Sequence, residues 1–197
     1  MNDKIFFSDF EKYLKVLNYH LELNNKKIEF VVCGGTALNA MGFVSRVTKD
    51  IDVLGFVENN DNNILIEKAI FPDWLKEIIN KISRDFNIPK DWLNTGPTSM
   101  IDLGLPADFE KRLSKKDYGS NLSIYYISRI DQIYFKLYAC ADRGGYHLDD
   151  LKKLNPSSEE LLNASLWCMT QDISEGFKTI LKDLLAKMGY EDVSERI

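Results

Sequence analysis

The chain contains 197 residues, of which 45% are apolar and 28% are charged. These proportions are ordinary for a soluble globular protein, and the length is sufficient for one domain or two small ones. The formal net charge of −5 excludes a global basic field for holding DNA or RNA.

The three cysteines, Cys33, Cys140 and Cys168, are far apart and form no CxxC motif or Cys/His cluster. We therefore expect reduced thiols and no zinc site. The N-terminus does not begin as a signal peptide, and no apolar run approaches the roughly 18 residues of a membrane span. These features predict a cytoplasmic protein without membrane contact.

The first part of the chain predicts alternating helices and strands. Apolar residues at three- and four-residue steps predict an amphipathic helix at residues 6–23, and a mostly apolar run predicts an internal strand at 28–32. The other elements predicted in this part are a short helix at 36–41, a strand at 48–57, a helix at 72–86 and a strand at 121–127.

Glycine and proline predict irregular structure at residues 87–106, with room for a short strand at 99–105. After the strand at 121–127 the composition changes, and only helices are predicted, at 129–143, 148–154, 158–170 and 174–188. We therefore predict a fold of the α+β or α/β class. A small mixed sheet flanked by helices occupies residues 1–122, and a helical subdomain that closes a cleft occupies residues 123–197.

A glycine turn follows the first predicted strand. Gly34 and Gly35 let the backbone approach a ligand closely, and the helix that follows would present N–H groups and the Thr36 hydroxyl to a phosphate. A plain strand-to-helix turn is the alternative interpretation. Neither the GxGxxG fingerprint nor the P-loop fingerprint is present.

Asp50 and Asp52 lie one residue apart in the next predicted strand, so their side chains point to the same face. The residues beside them are apolar, which predicts a largely buried strand. Two close carboxylates there would raise each other's pKa unless a cation lay between them. Carboxylate oxygens together with substrate phosphates are what Mg²⁺ prefers, so the pair is a candidate metal site.

Together, Gly34-Gly35-Thr36 and Asp50-Ile51-Asp52 resemble the signature of the polymerase-β-like nucleotidyltransferase superfamily. That pattern is a glycine turn, a short helix and then Asp-x-Asp on the next strand. The preceding Arg46-Val47-Thr48-Lys49 resembles the lead-in of the AbiE-type branch (AbiEii toxin-like proteins). The resemblance is strong over residues 28–56.

A second stretch carries the resemblance to that branch. Residues 136–143, with Lys136 and Arg143, resemble its helix with a lysine, a small residue and an arginine, and residues 147–151 resemble its Asp-Leu segment. Arg129, Lys136 and Arg143 are seven residues apart, which is two helical turns. They form a basic stripe that faces either solvent or the phosphates of a nucleotide.

The resemblance implies an enzyme with two Mg²⁺ ions that bridge the aspartates and the triphosphate of an NTP. It implies Asp50 and Asp52 as metal ligands and Lys136 as a group that offsets triphosphate charge. It also implies a set of residues that bind the nucleotide, namely Gly34, Gly35, Thr36, Lys136 and Arg143. Two further residues, Arg46 and Asp150, would contact or orient the substrate.

Proteins of this superfamily often have a third carboxylate, as a metal ligand or a base. Asp102 and Asp150 are the two candidates here, and the sequence leaves both open. A plain loop aspartate is the alternative for Asp102. A basic cluster at Lys111, Arg112 and Lys115-Lys116 is predicted to lie on a surface loop, where it either is solvated or contacts the phosphates of a tRNA acceptor.

We predict from the resemblance a magnesium-dependent nucleotidyltransferase that moves an NMP from an NTP to an acceptor hydroxyl. The AbiE-type branch implies the toxin of a toxin–antitoxin system, with an antitoxin protein as partner and tRNA or protein as target. A small-molecule acceptor is also open, because a fold does not determine its substrate. The alternatives are a nucleotide-binding or scaffolding protein of the same fold without transfer activity, and a phosphohydrolase that uses the same metals.

Overall fold

The computed structural model describes residues 7–45, 47–60 and 63–197. Arg46, for which a substrate-orienting role is predicted, lies outside the described residues. The chain divides into two compact units. The N-terminal unit runs to Asp102 and includes Asp108–Ile127, and the C-terminal unit consists of Leu103–Ala107 and Ser128–Ile197.

The N-terminal unit combines helices with a sheet. Its helices are α1 (Phe7–Leu23), α2 (Gly34–Ala40) and α3 (Asp73–Phe86), and two 3-10 helices span Gly96–Ile101 and Phe109–Arg112. Its strands are β1 (Ile28–Cys33), β2 (Ile51–Asn60), β3 (Asn63–Lys68), β4 (Leu93–Asn94), β5 (Ser114–Asp117) and β6 (Leu122–Tyr126).

The sheet is mixed, with the order β3-β2-β1-β6-β5. β1 is parallel to β6 and antiparallel to β2, and β2 is antiparallel to β3. The short strand β4 pairs in parallel with Ile51 and Asp52 at the start of β2. β3 pairs with the same edge of β2 farther along the strand. The start of β2 is therefore enclosed by β1 on one side and β4 on the other.

The core of the N-terminal unit forms because α1 and α3 each have an apolar stripe. Residues at three- and four-residue steps of α1 are buried, and so are those of α3. Trp92 is fully buried, and its Nε1 donates a hydrogen bond of 3.2 Å to the carbonyl oxygen of Ile79 in α3. This contact fixes the segment that leads into β4.

The C-terminal unit is helical. It contains α4 (Arg129–Arg143), α5 (Tyr146–Lys153), α6 (Ser158–Gln171), α7 (Glu175–Lys187) and α8 (Glu191–Arg196). Ser157 begins α6 with a capping box, in which its hydroxyl accepts from the N–H of Glu160 and the Glu160 carboxylate accepts from the N–H of Ser157. Trp167 of α6 is buried and stacks on the partly buried Phe135 of α4.

The predicted α+β fold is confirmed, with a mixed six-stranded sheet, flanking helices and helices at the C-terminal end. Two local predictions are wrong. The stretch at 99–105 holds no strand, because residues 96–101 form a 3-10 helix that begins with Gly96-Pro97. Lys115 and Lys116 lie on the edge strand β5 rather than in a loop. Among the described residues, no helix combines the length and apolar character needed to cross a membrane.

Candidate active site

Asp52 is the second residue of β2, and Asp50 immediately precedes the strand, which the sequence predicts to begin earlier, at residue 48. Asp52 is in register with Cys33 of β1 and with Asn94 of β4. Residues in register on neighbouring strands point to the same face of a sheet. The side chains of Asp52 and Asn94 therefore lie side by side, with Asp50 on the same face.

The amide of Asn94 bridges the two carboxylates. Its Nδ2 donates hydrogen bonds of 3.2 Å to Asp50 Oδ2 and 3.3 Å to Asp52 Oδ1. The Asn94 Oδ1 accepts a hydrogen bond of 2.8 Å from the N–H of Gly96, and this contact determines which way the amide points. The sequence does not single out Asn94, because Asn94-Thr95-Gly96 has the composition of a turn.

The first glycine of the predicted turn packs against Asp52. Gly34 begins α2 with a φ of +69°, a conformation that side chains with a Cβ rarely adopt. A Cβ at this position would overlap Asp52 Oδ2. Gly34 therefore has two reasons to be glycine, the backbone conformation and the space that the Asp52 carboxylate occupies.

We expect Gly34→Ala to destabilise the protein by more than the about 1–2 kcal/mol that the left-handed conformation alone costs an alanine, because its Cβ also displaces the Asp52 carboxylate. Urea denaturation of the full chain measures this loss. Gly42→Ala is the matched control, since Gly42 also has a positive φ, +76°, but a Cβ there meets no atom within 4 Å. Equal losses in the two variants would show that the contact with Asp52 contributes nothing.

Thr36 is buried, and its hydroxyl donates a hydrogen bond of 2.6 Å to the main-chain carbonyl oxygen of Asp50. This bond ties α2 to the start of β2 across fourteen residues of sequence. In this arrangement Thr36 positions the backbone of Asp50. The predicted phosphate contacts of Gly34, Gly35 and Thr36 stay predictions.

Asp102 follows the 3-10 helix Gly96–Ile101 and forms an ion pair with Lys68 of β3, with 52% of its side chain exposed. Within residues 7–45, 47–60 and 63–197, no three His, Cys, Asp or Glu side chains are grouped so that they could hold a metal ion. Asp102 therefore does not form such a group with Asp50 and Asp52. A catalytic role for Asp102 stays a prediction.

Lys136 and Asp150 come together inside the C-terminal unit. Lys136 Nζ on α4 donates a hydrogen bond of 2.8 Å to Asp150 Oδ2 on α5, and the two side chains are only 5% and 1% exposed. Burial also raises the pKa of the neighbouring Cys140 thiol to about 12, so this cysteine stays protonated at neutral pH. The structure pairs two residues for which the resemblance implies separate roles at a nucleotide.

The two arginines of the predicted basic stripe have different surroundings. Arg129 donates to the main-chain oxygens of Leu154 and Asn155 and forms an ion pair with Glu160, which links α4 to the end of α5 and to α6. The Arg143 side chain is largely exposed and contacts Asp142. Arg129, Lys136 and Arg143 therefore do not share one environment, and the nucleotide-binding role of Arg143 stays a prediction.

Acidic side chains accompany the basic cluster. Lys111 contacts Asp108, Lys115 lies 3.5 Å from Glu29 Oε1, and Lys116 pairs with Glu11. These neighbours offset much of the positive charge that a phosphate backbone would meet there. The cluster is thus not a bare basic surface on the N-terminal unit.

A family model described as a nucleotidyltransferase of unknown function (DUF6036) matches residues 11–164. The matched range covers more than three quarters of the chain and contains Asp50, Asp52 and Asn94. The searches for similar curated proteins and for similar solved structures found no match.

Proposed function

Because the chain belongs to the DUF6036 family of nucleotidyltransferases, we propose that it transfers a nucleoside monophosphate from an NTP to an acceptor hydroxyl in the presence of Mg²⁺. The observation that carries the proposal is the pair of carboxylates, Asp50 and Asp52, on one face at the start of β2. Gly34 packs against Asp52 without a side chain, which leaves the backbone close to that carboxylate.

The donor set fits Mg²⁺. This ion is commonly bound by one or two carboxylates, with substrate phosphates and water as its other ligands, so a pair of aspartates is sufficient. Asp50 and Asp52 would hold the ion, or the two ions that the resemblance implies. When bound, Mg²⁺ neutralises charge on the triphosphate and orients it for displacement.

In the proposed reaction, the acceptor oxygen forms a bond to the α-phosphorus, and the bond between the α-phosphorus and the bridging oxygen of the β-phosphate breaks. Pyrophosphate leaves, and the proton of the hydroxyl passes to solvent. Asp50 and Asp52 bind and orient, Thr36 keeps the backbone of Asp50 in place, and Asn94 restrains both carboxylates.

The acceptor and the biological role are finer proposals. The family match supports a nucleotidyltransferase in general and does not extend to the AbiE-type branch. The residues that resemble this branch, 46–49, 136–143 and 147–151, are the only support for a toxin that modifies tRNA or protein and is neutralised by an antitoxin. A small-molecule hydroxyl is the third acceptor class that the proposal includes.

The proposal is tested by incubating the full chain with each α-labelled NTP, Mg²⁺ and either total RNA or total cell protein. We expect one NTP to label one acceptor class, with loss of labelling when EDTA removes the metal. Release of pyrophosphate without labelled macromolecule would indicate a small-molecule acceptor. The absence of both label transfer and pyrophosphate release with every NTP would contradict the proposal.

A nucleotide-binding protein without transfer activity is the second candidate. It is favoured by the amide of Asn94, which lies against Asp50 and Asp52 where a further carboxylate would complete a three-ligand group. Equilibrium dialysis with labelled NTP separates the two functions. Retained NTP binding without transfer would support the second candidate.

A further inference from the structure

The position of Asn94 beside the aspartate pair is determined by several independent contacts. β4 pairs in parallel with β2, so that Asn94 is in register with Asp52. The N–H of Ile51 donates a hydrogen bond of 2.7 Å to the carbonyl oxygen of Trp92, and Trp92 is anchored to α3. Backbone pairing therefore holds the Asn94 amide at the carboxylates.

The amide itself is also oriented. Gly96 N–H donates to Asn94 Oδ1, and a Cβ on Gly96 would lie 3.0 Å from that oxygen. With its oxygen engaged in this way, the amide directs its two N–H groups to the carboxylates, one to Asp50 and one to Asp52. A carboxylate at position 94 would have no hydrogen to donate to either aspartate.

Charge explains why a neutral donor matters at this place. Two carboxylates close together repel each other, and a hydrogen bond to each stabilises the charged form. A carboxylate has about four lone-pair sites, so accepting one N–H leaves capacity for coordination. Hydrogen-bonding partners of metal ligands restrain the ligands and influence metal affinity.

We propose that Asn94 is a positioning residue of the cation site, which holds Asp50 and Asp52 in the arrangement that binds a divalent cation. The inference rests on the proposed function, because it assigns to the aspartates the cation that nucleotidyl transfer uses. The residue at position 94 also decides whether the site has two negative charges or three. The neutral amide of Asn94 therefore influences the affinity of the site for the cation.

The test is Mn²⁺ binding by the full chain without nucleotide, measured by isothermal titration calorimetry. Asn94→Ala removes both N–H groups, and we expect it to weaken Mn²⁺ binding about 10–100-fold. Asn94→Asp places a third carboxylate in the same position, and we expect it to tighten binding at least about 10-fold, because affinity rises with the number of charged ligands. Asp91→Asn, an exposed residue of the same segment, is the matched control and should bind as the wild type does.

The two variants test the two parts of the inference. Asn94→Ala tests positioning: if Asn94 only stabilised the fold, this variant would lower the unfolding temperature and, once folded, would bind Mn²⁺ as the wild type does, and that result would overturn the inference. Asn94→Asp tests the effect of charge alone, because it cannot donate a hydrogen bond to Asp50 or Asp52. If Asn94→Ala does not fold, Asn94→Leu, which has a similar shape and donates no hydrogen bond, takes its place in the test of positioning.

The failure of the inference is separate from the failure of the proposed function. If Mn²⁺ binding requires Asp50 and Asp52 but is unaffected at position 94, the inference fails and the metal site stands. If Asp50→Asn and Asp52→Asn bind Mn²⁺ as the wild type does, or if the wild type binds it neither alone nor with NTP, the metal site fails and the inference fails with it. Asn94-dependent Mn²⁺ binding without label transfer would support the inference and contradict the transfer reaction.

Discussion

Replacing Asp50 or Asp52 by asparagine is expected to lower the rate of nucleotidyl transfer at least about 100-fold. Asparagine has nearly the same size as aspartate but no charge, so it weakens the binding of Mg²⁺ while keeping the side-chain volume. A bound metal stabilises the transition state by several kcal/mol, and about 3 kcal/mol already corresponds to roughly a 100-fold change in rate. The rate of label transfer from the NTP measures the effect.

Two features make this expectation specific to the pair. Asp50 and Asp52 accept hydrogen bonds from the same amide nitrogen of Asn94, so they belong to one site. Removing the charge of either residue therefore affects that same site. Asp91→Asn removes an exposed charge from the same unit and should transfer label at the wild-type rate. Full activity in Asp50→Asn and Asp52→Asn would contradict the assignment of this pair as metal ligands.

Breaking the buried pair in the C-terminal unit is expected to have the largest effect on stability. Lys136→Met or Asp150→Leu alone should lower the free energy of unfolding by about 3–5 kcal/mol, because each removes the 2.8 Å ion pair that offsets the other buried charge. The total stability of proteins is only about 5–15 kcal/mol, so such a loss is a large part of it. Urea denaturation followed by circular dichroism measures the change.

The double variant Lys136→Met/Asp150→Leu should recover most of the lost stability, since two apolar side chains replace a pair that is costly to desolvate. The exposed pair of Lys81 and Asp85 on α3 is the matched control, and breaking it should change stability by only about 0.3–0.5 kcal/mol. If Lys136 served only to bind triphosphate, Lys136→Met would weaken NTP binding and leave the unfolding free energy unchanged.

The longer helices and the strands β1, β2 and β6 could be predicted from the sequence because their signals are local. In α1 and α3, apolar residues recur at the spacing of one helical face, and these stripes are buried in the structure. The strands β3, β4 and β5 and the short helix α8 were not predicted. β5 (Ser114–Asp117) has no apolar alternation and is a strand because it pairs with β6.

The sequence by itself determined the α+β fold class, the family-level signature and the presence of Asp50 and Asp52 on one strand face. These follow from periodicity and spacing within short stretches of chain. Only the tertiary structure decided that Asn94 joins the aspartates and that Lys136 pairs with Asp150. The reason is that both contacts depend on where two distant segments pack: Asn94 lies 42 residues from Asp52 in sequence, and the pairing of β4 with β2 brings them side by side.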